Sequence, residues 1–306
     1  MRAALGLPLL IVTAILTGVG AAAQDPGIRD RRVFRSGIEV TSITTTVRDN
    51  QGRLVTGLER EAFEVYEDGD LQKVTQFTGE RVPISLGVLL DTSDSMFGQR
   101  IRDARAAVER FLFDLLDPGD EYFAMAFNHQ PRTLTRWTSA PEVMRRALDR
   151  LKPIGGTAAY DAIVAALPMI ANRSRERAAL LVISDGADTA STATIREVRS
   201  ALLRSDAFVY AIALDSPVRQ AINARVNPTA LREITDDSGG RTEVVQSTAD
   251  LVDATSRIAE ELNSQYLLGY TSPHGADGQY HSIRVRVRGT DYKVRARNGY
   301  VATPLH

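Results

Sequence analysis

Asp91, Ser93 and Ser95 stand at alternate positions in the polar stretch Asp91-Thr92-Ser93-Asp94-Ser95. One carboxylate and two hydroxyls are hard oxygen donors, suited to Mg²⁺, Mn²⁺ or Ca²⁺ and not to a soft metal. Taken alone, the stretch reads equally as a helix cap, since acidic and hydroxyl residues satisfy the first backbone N–H groups of helices. Two later stretches bring further oxygens. Gly155-Gly156-Thr157 precedes an apolar helical run, and Ser184-Asp185-Gly186 closes the apolar run Ala178–Ile183.

The elements that must position these residues are legible around them. Val82 to Leu90 is apolar and β-favouring, about as long as one buried strand and without polar alternation. Ligands of open α/β sheets lie just beyond the carboxyl ends of such strands. Strand and helix then alternate. Helices are expected over 100–116, 142–151, from after Thr157 through Ile170, and over 195–203, 229–238 and 249–263, and strands over 121–128, 134–137, 178–185, 208–214 and 242–245. Ile101, Ala104, Val108, Phe111, Leu112 and Leu115 form the apolar stripe of the first helix, and Gly239-Gly240 suits a C-terminal cap. This order predicts an α/β fold with a doubly wound, mostly parallel sheet.

The flanks differ. Residues 33–78 are β-favouring, with turns at Asp49–Gly52 and Glu67–Asp70, and Val74–Phe77 reads as the strand returning from the second turn. The acidic group Asp68-Gly69-Asp70 lacks the spaced ligands and terminal Glu of a calcium loop and reads as a hairpin turn. Tyr266–Thr271, His281–Val287 and Tyr292–Ala296 read as strands. Arg284, Arg286 and Arg288 share one face, which reads as a solvated sheet surface. The order β, α/β, β predicts a sheet domain inserted into a small β-sandwich built from both chain ends.

The three loops together resemble the von Willebrand factor A (VWA) domain and its metal-ion-dependent adhesion site: an Asp-x-Ser-x-Ser loop, a Thr from a second loop and an Asp from a third. Asp91, Ser93, Ser95, Thr157 and Asp185 fill those positions in order. The run Leu231, Gly239-Gly240-Arg241, Ile258-Ala259, Leu262, Gln265-Tyr266, Tyr270, Asp291–Arg295 and Gly299-Tyr300 resembles secreted VWA-related proteins of acidobacteria. The resemblance implies domains over 33–80 (sandwich, first part), 81–264 (VWA) and 265–306 (sandwich, second part). It also implies that Ser93 and Ser95 coordinate a metal directly, and that Thr157 does so directly or through water. Asp91 and Asp185 would act as ligands or as acceptors behind them. Mg²⁺ is the working ion; it takes about six oxygens near 2.1 Å and keeps some waters. Two carboxylates just neutralise it, so one further anionic oxygen is favoured. The implied partner is a protein offering an Asp or Glu carboxylate.

Around these residues, Asp161 reads as helix-end stabilisation, Asp188 as a loop or supporting carboxylate, and Asp94 as solvent-facing. Met96, Phe97 and Gln99 read as the border of a partner surface, and Trp137 and Tyr160 as packing residues.

The 306 residues hold ample core, and a formal net charge of −1 implies neither nucleic acid nor a membrane surface as partner. Arg2, the apolar run Ala3–Val19 and Ala21-Ala22-Ala23 read as a secretory signal over 1–23, followed by a linker over 24–32. The expected protein is exported, periplasmic or extracellular, with no stable membrane span after cleavage. It has no Cys, so no disulfide supports it there.

Two rival classes share the chemistry. A metal-dependent hydrolase or phosphotransferase also places Asp at a strand end beside Mg²⁺. Aspartyl-phosphate chemistry needs a second Asp two residues on, where Ser93 stands, and none of His129, His274, His281 and His306 lies in the ligand loops. Gly155-Gly156-Thr157 lacks the Lys of a phosphate loop. The expectation is therefore a binding module and not an enzyme. The other rival is an assembly factor of the cell envelope, which differs only in its partner.

Overall fold

The computed structural model describes residues 40–185, 187–215 and 228–303. The expected signal segment 1–23 and linker 24–32 lie outside these residues, as does Gly186. Among the described residues no helix is long and apolar enough to cross a membrane.

The centre is a six-stranded sheet of β5 (Ile84–Asp91), β6 (Glu121–Phe127), β7 (Pro131–Thr138), β8 (Arg177–Ser184), β9 (Phe208–Leu214) and β10 (Thr242–Val245), ordered β10-β9-β8-β5-β6-β7. All neighbours are parallel except the β6–β7 edge pair. Every residue of β5, β6 and β8 is buried, as a sheet covered on both faces requires. Each fully buried Leu or Val of β5 contributes about 1.5–3 kcal/mol.

Helices α1 (Gln99–Arg110), α2 (Pro141–Asp149) and α6 (Thr248–Asn263) pack on one face, through Ile101, Val108, Met144, Leu148, Leu251 and Ile258. Helices α3 (Ala159–Ala171), α4 (Ile195–Leu202) and α5 (Pro228–Ser238) cover the other, through Ile163, Ala166, Val198 and Ile234. Thr194 and Ser247 close capping boxes with Glu197 and Asp250, which start α4 and α6 where the sequence turns amphipathic. The expected helix over 100–116 holds to Arg110, and its last turn, Phe111–Leu115, is wound as a π-helix.

Two four-stranded antiparallel sheets form the sandwich: β13-β1-β11-β4 and β14-β12-β2-β3. They comprise β1 (Val40–Arg48), β2 (Phe63–Glu67), β3 (Asp70–Gln72), β4 (Val74–Thr78), β11 (Tyr266–Thr271), β12 (Tyr280–Val287), β13 (Lys293–Arg295) and β14 (Gly299–Val301). Both sheets share one core of Ile43, Phe63, Val65, Tyr266, Leu268, Tyr270, Ile283 and Val285. Pairing of β1 with β11, and of β2 with β12, joins the two ends of the chain. Strict alternation along β12 leaves Arg284 and Arg286 exposed, and Arg288 pairs with Glu64 at 3.1 Å.

One strand assignment needs correction. Val74–Phe77 does not return from the Glu67–Asp70 turn to pair with β2. That strand is the short β3, and β4 crosses to the other sheet and pairs with β11. Lys73, between them, is where the chain changes sheets, and alternation alone carries no sign of which sheet a strand joins.

Where the chain passes between sandwich and central sheet, one buried side chain ties both crossings. Arg177 donates to Val82 O at 2.8 Å, to Leu262 O at 2.7 Å and to the Gln265 side chain. Nearby, fully buried Glu261 accepts from Arg48 at 2.8 Å and from the Tyr210 hydroxyl at 3.1 Å.

Candidate metal centre

β5 lies between β6 and β8, so the connections on its two sides run in opposite directions and leave a crevice at its carboxyl end. Asp91 is the last residue of β5 and is wholly buried. Its Oδ1 accepts from the Ser93 amide at 2.8 Å and its Oδ2 from the Ser184 hydroxyl at 2.5 Å. Burial pushes this carboxyl up to about 6; hydrogen bonds from Ser184 and Ser93 hold it down in part, and the charge of Asp185 adds to the rise.

Asp185 follows the end of β8. Its Oδ1 accepts from Ser95 Oγ at 2.6 Å, and its Oδ2 from Arg100 Nη1 at 2.7 Å. The same Arg100 nitrogen donates to Ser95 O at 2.8 Å. Ser93 Oγ lies 3.0 Å from Ser95 Oγ. Because Ser95 has already given its one proton to Asp185, Ser93 is the donor in that pair. Asp91, Ser93, Ser95 and Asp185 are thus joined in one hydrogen-bonded chain.

Thr157 is buried, and its backbone is tied to the loop before α4. Its N–H donates to Thr189 Oγ1 at 3.1 Å, and its carbonyl accepts from the Thr189 and Ala190 amides at 2.8 and 3.0 Å. The loop before it is laced to the Asp91–Met96 loop: Ile154 N donates to Thr92 O at 2.8 Å and Asp94 N to Gly155 O at 2.9 Å. Gly155 holds φ +87, a left-handed conformation open to glycine, and its Cα faces the His129 imidazole. Among the described residues, the Thr157 hydroxyl makes no hydrogen bond to the other four side chains.

The neighbouring residues sort clearly. Asp94 is exposed. Asp161 accepts from the Thr192 and Ala193 amides at 3.0 and 2.8 Å, and so fastens the loop before α4. Asp188 accepts from the Tyr160 amide and the Ser191 hydroxyl at 2.9 and 2.7 Å, a loop role at the start of α3. Trp137 stacks edge-on with Phe123 and donates to Met169 O, which is packing. Met96 does not border a surface: it is fully buried in the core under α1, whereas Phe97 beside it is 79% exposed. Arg100 and Ser184 were not among the expected site residues. Ser184 could have been found from its place directly before Asp185; Arg100 has only its position one turn past Ser95.

The donor set is all oxygen: two buried carboxylates and two hydroxyls whose protons go to carboxylates or to each other, which leaves lone pairs for a cation. Asp91 and Asp185 bring two negative charges, and Arg100 pairs with Asp185. A buried carboxylate without a cationic partner is costly, and a divalent cation held by these residues would supply that charge. The residues fit such an ion.

Residues 86–187 match the family model of the von Willebrand factor type A domain, so the chain carries such a domain. The structure is similar to that of a von Willebrand factor type A protein from Catenulispora acidiphila, at 13% identity over 88% of this chain and 76% of that one, with a TM-score of 0.52. It is also similar to an aerotolerance-related membrane protein from Bacteroides fragilis, at 21% identity over 59% and 98% with a TM-score of 0.50. The PilB minor pilin from Streptococcus sanguinis gives 12% identity over 61% and 63%, and a TM-score of 0.50. At these identities the likeness is one of fold. No curated protein matches the chain.

Proposed function

We propose that the von Willebrand factor type A domain of this chain is a divalent-metal-dependent protein-binding module of an exported protein. Asp91, Ser93, Ser95, Thr157 and Asp185 hold the ion, Mg²⁺ in the first instance and Mn²⁺ or Ca²⁺ otherwise. The bound ion supplies a Lewis-acidic position that takes an Asp or Glu carboxylate of the partner. The observation that carries this reading is the hydrogen-bonded chain from Asp91 through Ser93 and Ser95 to Asp185, assembled at the crevice from two strand ends. In domain terms, 81–264 is the binding module, and 33–80 with 265–306 is the sandwich that carries it.

The chain's own residues divide the work. Asp91 and Asp185 provide the charge. Ser93 and Ser95 offer neutral oxygens, so the ion keeps net attraction for an outside carboxylate. Exposed Phe97 provides an apolar contact beside the loop. Among the described residues no histidine is one of the five proposed ligands: His129 is exposed beside Gly155, while His274 and His281 belong to the sandwich and its loop. The pilus origin of one structural neighbour agrees with adhesion.

A pull-down tests the reading. The chain is immobilised with Mg²⁺ or with EDTA, wild type beside Asp91→Ala, and offered a Glu-rich peptide and a Gln-rich control. Retention of the Glu-rich peptide only in Mg²⁺, and its loss in the variant, is expected. Equal retention in EDTA overturns metal bridging, and turnover of a phosphoester or peptide that the variant loses moves the site to the enzyme class.

A further inference from the structure

The sandwich gathers a second set of ligand-type side chains, remote in sequence from the VWA loops. Asp68 opens the β2–β3 turn, His274 lies in the β11–β12 loop and His281 is the second residue of β12. One ligand atom from each lies within 4.8 Å of the other two. His281 Nδ1 is 2.7 Å from Asp68 Oδ2, and His274 Nε2 is 3.6 Å from the same oxygen. The two imidazoles stack with centroids 4.1 Å apart and planes 18° apart.

The outer contacts are those of a metal ligand set. A metal-bound imidazole ordinarily gives its other N–H to a carboxylate, which fixes ring and tautomer. Here His281 Nε2 lies 3.2 Å from Asp277 Oδ1. Asp68 is oriented as well: its Oδ1 accepts from the Ser282 amide at 2.8 Å and the Ser282 hydroxyl at 3.1 Å. His281 is buried and pinned in β12 opposite Tyr300 of β14. His274 and Asp68 remain substantially exposed, which leaves the cluster open to water.

An ion-paired triad of Asp68, His281 and Asp277 would need no second imidazole. His274 supplies one, against the same Asp68 oxygen. We infer that Asp68, His274 and His281 form a transition-metal site, with Asp277 supporting His281 from behind. Two imidazoles and one carboxylate suit a borderline ion such as Zn²⁺ and are a poor set for Mg²⁺ or Ca²⁺. The site clasps the β2–β3 turn, the β11–β12 loop and β12, so the ion stiffens the sandwich and does not serve the VWA crevice. A fourth position stays open to water or an outside donor.

The test uses Zn²⁺ and the full, untagged chain, read by calorimetry and by the shift in melting temperature. In an Asp91→Asn background, which removes a proposed ligand of the VWA crevice, one Zn²⁺ is expected to bind and to raise the melting temperature. Adding His274→Ala is expected to weaken that binding at least tenfold and to abolish the shift. Asp277→Asn is expected to weaken it by roughly 10–100-fold, the range for supporting partners. His274 is exposed, so its variant folds even where a change at buried His281 does not. Absence of Zn²⁺ binding, or binding that His274→Ala leaves unchanged, overturns the site. Because Asp91 is already removed, failure of the Mg²⁺ assignment in the VWA loops leaves this result readable.

Discussion

Ser95 Oγ donates a 2.6 Å hydrogen bond to Asp185 Oδ1 across 90 residues of chain, joining the loop after β5 to the loop after β8. That bond makes one cluster of two strand ends. It also commits the serine proton to a carboxylate, so a cation would meet only lone pairs on the serine oxygen.

Thr157 follows the Ile154–Gly155 stretch that bonds to the loop after β5, and its backbone is held to Thr189 and Ala190. Thr157→Ala is expected to weaken Mn²⁺ binding severalfold, less than a change at Asp185, with an unchanged circular dichroism spectrum. Spin-resonance titration with Mn²⁺ reads this directly. A loss equal to that of Asp185→Asn would mean that Thr157 is a principal ligand in the resting state.

Arg100 places a fixed positive charge on Asp185 at 2.7 Å. A divalent ion on the same carboxylate meets like-charge repulsion. Arg100→Gln, which retains a hydrogen-bond donor, is therefore expected to tighten Mg²⁺ binding by about tenfold, or about 1.4 kcal/mol. Weaker binding would show that orienting Asp185 matters more than repelling the ion.

Much of this arrangement was legible in the residues. The abrupt end of an apolar run at Asp91, and of another at Ser184, marked two strand ends, because parallel strands buried on both faces show no polar alternation. The hydroxyls at Ser93 and Ser95 and the turn at Gly155 then had one place to go. Arg100 escaped because an ion pair formed across 85 residues leaves no local pattern. Met96 escaped for the opposite reason: beside exposed Phe97 it looks like a surface residue, and only the packing of α1 buries it. The path of β4 depended on which sheet a strand joins, which is a long-range choice.

Glu121 reports on the opposite end of the sheet. It accepts from Ser85 Oγ at 2.5 Å, from Ser174 N at 2.7 Å and from Ser174 Oγ at 2.6 Å. Burial alone would raise this carboxyl, but those hydrogen bonds outweigh it and hold it below the ordinary glutamate value. A depressed carboxyl stabilises the fold fully above the unfolded value of 4.5 and loses that contribution as pH falls through the folded value. Glu121→Gln is expected to cost about 1–3 kcal/mol at pH 7. The gap to wild type should close in acid, as urea melts at pH 7 and pH 3.5 would show.

Arg177 is the tie between the central sheet and the sandwich. Burial pushes its guanidinium down to about 10, and its hydrogen bonds reach Val82 O just before β5 and Leu262 O in the last turn of α6. Arg177→Ala leaves those carbonyls unpaired in the interior and is expected to destabilise the chain by about 2–6 kcal/mol, about 1–3 for each carbonyl. Urea denaturation should show a lower midpoint with an unchanged slope. A shift under about 0.5 kcal/mol, as for an ordinary surface change, would remove Arg177 from this role.

The most direct test is a calorimetric Mg²⁺ titration of the wild-type chain beside Asp91→Asn, at neutral pH and with the fold of both checked by circular dichroism. Asparagine keeps the size of the side chain and removes the charge. Expected is one Mg²⁺ bound by the wild type, and affinity lowered more than about 100-fold in the variant, beyond the range seen when only a supporting partner is lost. Equal affinity in the two proteins, or no binding by the wild type, would contradict the metal centre and the adhesion built on it.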